Sequence, residues 1–93
     1  MKEVTNMTLE EYFAANMDEC KSEFEEERFD LVEARRRMGG VVVDIRINTR
    51  QTATVVFCRN IVTHTGKAYV RCRDAIWRIA ERAGVSREEY EIR

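Results

Sequence analysis

The segment Val41-Val42-Val43-Asp44-Ile45-Arg46-Ile47, directly behind Gly39-Gly40, commits the chain to a β-sheet. β-branched residues lose rotamer freedom in a helix and suit a pleated, half-buried surface. Val43, Ile45 and Ile47 alternate with Asp44, Arg46 and Asn48, so one face is apolar and the other polar. Such a strand cannot stand alone. Its backbone N–H and C=O groups need neighbours, which the rest of the chain must supply.

Two later segments fit that need. Thr52 to Cys58 is rich in β-branched and aromatic residues and can run on through Arg59-Asn60 to Thr63. Ala68-Tyr69-Val70-Arg71-Cys72 reads as a third strand. Asn48-Thr49-Arg50-Gln51 and Thr65-Gly66-Lys67 read as the turns between them. Short connections predict an antiparallel three-stranded meander.

Helices flank the sheet. Thr8 and Glu11 form a capping-box signature, with Met7 and Tyr12 placed as a hydrophobic staple. Leu9, Phe13, Met17, Cys20 and Phe24 then recur at helical spacing. The stripe falters at Glu26-Glu27-Arg28, and a second set follows at Phe29, Leu31, Val32, Ala34 and Met38. One helix over 9–38 would be about 45 Å long, too long for so small a domain. A break near 27–30 is therefore predicted, with a second helix ending at Gly39-Gly40. Ile76, Ile79, Ala80 and Ala83 mark a last helix that begins near Arg73, carries Trp77 at its edge and ends at Gly84. Ser86 and Glu89 repeat the capping signature ahead of a short helix or a frayed tail. The predicted class is α+β, in the order α-β-β-β-α, as a single domain over 1–93.

Size and composition narrow the function. A chain of 93 residues has room for one core and little room for an enclosed active site. No apolar run approaches the roughly 18 residues a membrane span needs. Met1 to Asn6 carry no signal-peptide stretch, which predicts a cytoplasmic protein. Cys20, Cys58 and Cys72 are odd in number and irregular in spacing, which suits reduced thiols better than a disulfide framework.

The chemical motifs are weak. Cys58, His64 and Cys72, with Cys20 far off, lack the close ligand pairs of a zinc site. The same residues lack the orienting third group of a thiol nucleophile. Thr65-Gly66-Lys67 lacks the upstream glycine and the following helix of a phosphate loop. No catalytic, cofactor or metal residue is assigned, and an enzyme is not expected.

Charge is the informative feature. Residues 1–33 hold eleven acids against three bases, a net of −8, while residues 34–93 hold thirteen bases against six acids, a net of +7. The acids peak at Glu23, Glu25, Glu26, Glu27 and Asp30. Carboxylates in a column on a helix can meet a basic groove or imitate a phosphate backbone. These five are the candidate surface for a protein partner. The bases Arg46, Lys67, Arg71, Arg73 and Arg78 form the alternative surface, for nucleic acid. Tyr69 and Trp77 are candidates to stack on bases, although core packing is the plainer role for Trp77. Asp74 and Glu81 stand i,i+4 and i,i+3 from Arg78 and can balance it on its own helix.

The order α-β-β-β-α over about residues 24–84, with Arg71, Arg73 and Arg78 around the start of the last helix, resembles the double-stranded RNA-binding domain. That resemblance implies a basic contact to a phosphate backbone. The first helix here is far more acidic, and adjacent lysines are lacking. The expectation is a small non-enzymatic regulator or inhibitor, of the kind phages and mobile elements encode, binding a basic protein partner through its acidic helix. Nucleic-acid binding and a homodimer that pairs its two charged halves are the alternatives.

Overall fold

The computed structural model describes residues 7–46, 52–66 and 69–93, and for Thr52 and residues 69–71 the backbone alone. The order is α1 (Leu9–Ala15), α2 (Met17–Glu26), β1 (Asp30–Arg37), β2 (Gly40–Arg46), β3 (Thr52–Cys58), β4 (Ile61–Thr65), α3 (Tyr69–Ala83), a short 3-10 helix (Arg87–Glu89) and β5 (Glu91–Ile92). The fold is α+β, with a five-stranded mixed sheet in the order β1-β2-β3-β4-β5. The first four strands are antiparallel neighbours. β5 joins β4 in parallel.

The local signals hold where they are strongest. Thr8 Oγ1 accepts from the Glu11 N–H at 3.1 Å, and Glu11 Oε1 accepts from the Thr8 N–H at 3.0 Å. The next orphan donors of α1 go to the β3–β4 turn. Leu9 N–H donates to Asn60 Oδ1 at 2.9 Å, and Glu10 N–H donates to the Arg59 carbonyl at 3.1 Å. That turn therefore seats α1 on the sheet. α2 ends where the stripe falters. Phe29 N–H reaches the Phe24 carbonyl at 3.2 Å and Arg28 N–H the Glu25 carbonyl at 2.9 Å, with Arg28 left-handed at φ 68°. This is a Schellman cap with arginine in the position glycine usually takes.

The segment 29–38 is the main correction. It is strand β1, not a second helix. Leu31 pairs with Ile45, Ala34 with Val43, and Arg37 with Gly40 across a Met38-Gly39 loop. As a helix it would leave the edge of β2 without a partner. Sheet pairing outweighs the helical spacing of Phe29, Leu31, Val32, Ala34 and Met38. The glycines close a hairpin instead of a helix. A Cβ on Gly40 would lie 2.6 Å from the Phe57 carbonyl oxygen, so the close approach of β2 to β3 requires glycine there.

The second correction is at 68–72. Tyr69 begins α3, so no strand forms there and the helix starts earlier than Arg73. Cys72, Ala75, Ile76, Ile79, Ala80 and Ala83 are all buried on one helical face. The Arg59-Asn60 pair turns the chain between β3 and β4 instead of continuing one strand, with Arg59 at φ 57°. The tail after Gly84 is ordered too. Ser86 N–H donates to Glu89 Oε1 at 3.1 Å, and β5 adds to the sheet beside β4. The expected turn at 48–51, together with Ile47, Lys67 and Ala68, lies outside the described residues. With four antiparallel strands between its helices, the order departs from the double-stranded RNA-binding domain.

One core joins the helices to one face of the sheet. Val41, Val43, Ile45, Ala53, Val55, Phe57 and Val62 meet Leu9, Phe13, Phe24, Ile76 and Ile79. Phe13 stacks on Phe57 with centroids 4.7 Å apart and meets Phe24 edge-on at 6.5 Å. The opposite face carries Asp44, Thr54, Val42 and Val56, and no described element packs over it.

Candidate functional site

The acidic column does not act as one surface. On α2, Glu23 lies four residues before Glu27 and turns toward α3, which presents Arg78 and Arg82 at the same four-residue spacing. Glu23 is 5% exposed. Its Oε1 accepts from Arg78 Nε at 2.6 Å and its Oε2 meets Arg82 Nη2 at 2.7 Å. Arg78 Nη2 also donates to the Glu23 carbonyl at 3.1 Å and meets Glu27 Oε2 at 2.9 Å. A buried carboxylate is thus held by two guanidinium groups, which is the pairing that makes its burial tolerable. The hydrogen bond to Glu23 raises the Arg78 pKa above its already high ordinary value.

Glu25, Glu26 and Asp30 behave differently. All three are exposed, and none forms an ion pair with a described residue. Asp18 and Glu19 extend the same exposed acidic side toward the start of α2, with Glu19 only 4.0 Å from Arg82. Glu26 also borders a shallow depression of about 290 Å³ between α2 and α3, with Ser22, Glu23, Arg78, Glu81 and Arg82. Of the five predicted acids, two are therefore bound into the helix–helix contact and three face solvent.

The basic set is dispersed. Arg78 is committed to Glu23 and Glu27, and its partners come from α2 instead of Asp74 and Glu81. Arg46 is exposed at the end of β2 and Arg73 is exposed on α3. The backbone of Arg71 lies in the first turn of α3, while Lys67 falls outside the described residues. Arg73 does border an open depression of about 280 Å³ with Arg87, Tyr90 and Ile92. Trp77 is half-buried, with the Arg87 guanidinium 5.3 Å from its ring centroid.

The hold of Arg82 on Glu23 was not anticipated. Neither was a second network on the open sheet face. There Arg35 Nη1 reaches Asp44 Oδ2 at 2.8 Å and Thr54 Oγ1 donates to Asp44 Oδ1 at 2.8 Å. These two bonds hold the Asp44 carboxyl below its ordinary pKa, Arg35 contributing most. The four-residue spacings of Glu23/Glu27 and Arg78/Arg82 were the available signal for the first network. The second depends on strand register, which has no local signature.

Cys20 and Cys72 are core residues and Cys58 is exposed at the end of β3. Burial pushes the Cys20 thiol up to about 12. Among the described residues, no group of three or more His, Cys, Asp or Glu side chains is placed to hold a metal ion. No described helix is long and apolar enough to cross a membrane. No known protein family, no curated protein and no solved structure matches this chain.

Proposed function

We propose that this chain is a non-enzymatic protein-binding module, a regulator or inhibitor acting in the cytoplasm. Its contact surface is the exposed acidic side of α2, formed by Glu25 and Glu26 and continued by Asp30 at the start of β1. The supporting observation is the division of the acidic cluster. Glu23 and Glu27 are neutralised by Arg78 and Arg82, whereas Glu25, Glu26 and Asp30 are exposed with no cationic partner among the described residues. Glu23 and Glu27 brace the helix that displays them. A basic groove on another protein, including one built for a phosphate backbone, fits this surface. Cys20, Cys58 and Cys72 as thiols suit a reducing compartment.

The test is affinity capture from a native lysate with the full chain and with E25K/E26K/D30K. The reading expects a basic protein that the wild type retains, that salt weakens and that the triple variant loses. The same protein retained equally by the triple variant would refute it. Nucleic acid bound through Arg46, Lys67, Arg71 and Arg73 is the alternative. It predicts retention of nucleic acid that falls steeply with salt and is unaffected by the triple substitution.

A further inference from the structure

The sheet ends on β1, an eight-residue strand with no described strand along its outer edge. An edge strand directs a row of backbone N–H and C=O groups outward, ready to pair with another strand. The two large apolar side chains most exposed among the described residues both lie here. Val32 is 51% exposed within the strand, and Met38 is fully exposed in the turn that follows.

The strand is also charged in an ordered way. Asp30 and Glu33 occupy its first half, and Arg35, Arg36 and Arg37 its second. Its pairing with β2 fixes which side chains share a face. Asp30, Glu33, Arg35 and Arg37 lie on the open face with Arg46, Asp44, Val42 and Gly40, while Leu31, Ala34 and Arg36 lie on the helix side. A register irregularity between Leu31 and Glu33 leaves Val32 as the extra residue.

We propose that the occupant of this edge is a second copy of the chain, paired antiparallel about a two-fold axis at Ala34. That alignment sets Glu33 opposite Arg35 of the second copy. With Val32 counted as the bulge, it sets Asp30 opposite Arg37 of the second copy, on the same open face. The axis repeats both pairings, giving an isologous interface. Parallel alignment in register would set like charge on like. A charged, bulged edge repels most other strands, which is how natural sheets avoid aggregation. An identical edge run in reverse matches it. Strand pairing then joins two sheets into one and covers Val32.

The inference does not rest on the acidic-helix reading. Only Asp30 is shared, and Arg36 and Arg37 belong to the edge alone. The test is sedimentation equilibrium of the full chain up to about 1 mM, at about 50 mM and about 500 mM NaCl. The wild type should dimerise, more weakly at high salt. D30R and R37E should each lose about tenfold or more in dimer affinity, since each sets like charges opposite one another, and their equimolar mixture should recover a heterodimer. The double swap D30R/R37E reverses both charges of the Asp30–Arg37 pairing within one sequence, restores complementarity and should dimerise again. It also serves as the control if either half-swapped variant folds poorly. A wild type monomeric throughout, or a dimer indifferent to both half-swaps, would overturn the proposal.

Discussion

Glu23 Oε1 accepts a hydrogen bond from Arg78 Nε at 2.6 Å, across the contact between α2 and α3. The same guanidinium reaches the Glu23 carbonyl and the Glu27 carboxylate. A lysine ammonium cannot serve three acceptors in that planar fork. Arg78→Lys should therefore cost about 1–2 kcal/mol in urea unfolding, although the charge is unchanged. An unaltered midpoint would show that charge alone matters there.

The cap of α2 predicts a gain. Arg28 holds φ 68° where a side chain is strained. Arg28→Gly should raise stability by about 0.5–1 kcal/mol, the strain relieved less the added freedom of the unfolded chain. Gly40→Ala should do the reverse, by about 1–3 kcal/mol, since its Cβ meets the Phe57 carbonyl oxygen at 2.6 Å. Both are read from urea midpoints, and equal responses would contradict the two backbone assignments.

The cysteines separate by access. Cys58 should react with a thiol reagent in the folded protein, while Cys20 and Cys72 should react only on unfolding. Cys20 favours its neutral form when folded, with its pKa raised from 9.0 to about 12. Its contribution to stability is complete below pH 9.0 and is lost as the pH rises toward about 12. Mass spectrometry after timed alkylation reads the first statement. Rapid labelling of Cys20 in the native state would contradict it.

Asp44 governs part of the acid limb. Its folded pKa lies below the ordinary 3.8 because Arg35 and Thr54 hydrogen-bond the charged form. The unfolded chain thus takes up the proton first. The contribution of Asp44 is present above the ordinary carboxyl pKa and is lost as the pH falls through the lowered one. Asp44→Asn should flatten the decline in stability between about pH 5 and about pH 2. A parallel decline in both proteins would remove Asp44 from the account.

The fold was legible where the signal is local. Thr8 with Glu11, the buried residues Leu9, Phe13, Cys20 and Phe24, and Ser86 with Glu89 need only neighbours in sequence, although the break at Asn16 that divides that stripe into α1 and α2 was expected only near 27–30. β1 was not legible, because its side chains are exposed or half-buried along its whole length and leave no period to read. The start of α3 was obscured by Tyr69-Val70, which favour strands, although Cys72 already stands four residues before Ile76 on the buried face. The acidic cluster was found, but not its division. That division depends on which side of α2 meets α3, a fact of tertiary packing.

The division itself is the claim to test. Urea unfolding of Glu23→Gln should show a loss of about 2 kcal/mol, because Arg78 and Arg82 lose the buried carboxylate between them. The triple variant E25Q/E26Q/D30N removes more charge, yet should shift stability by no more than about 0.5 kcal/mol, as exposed groups do. A triple variant as unstable as Glu23→Gln, or a Glu23→Gln variant as stable as the wild type, would contradict the account.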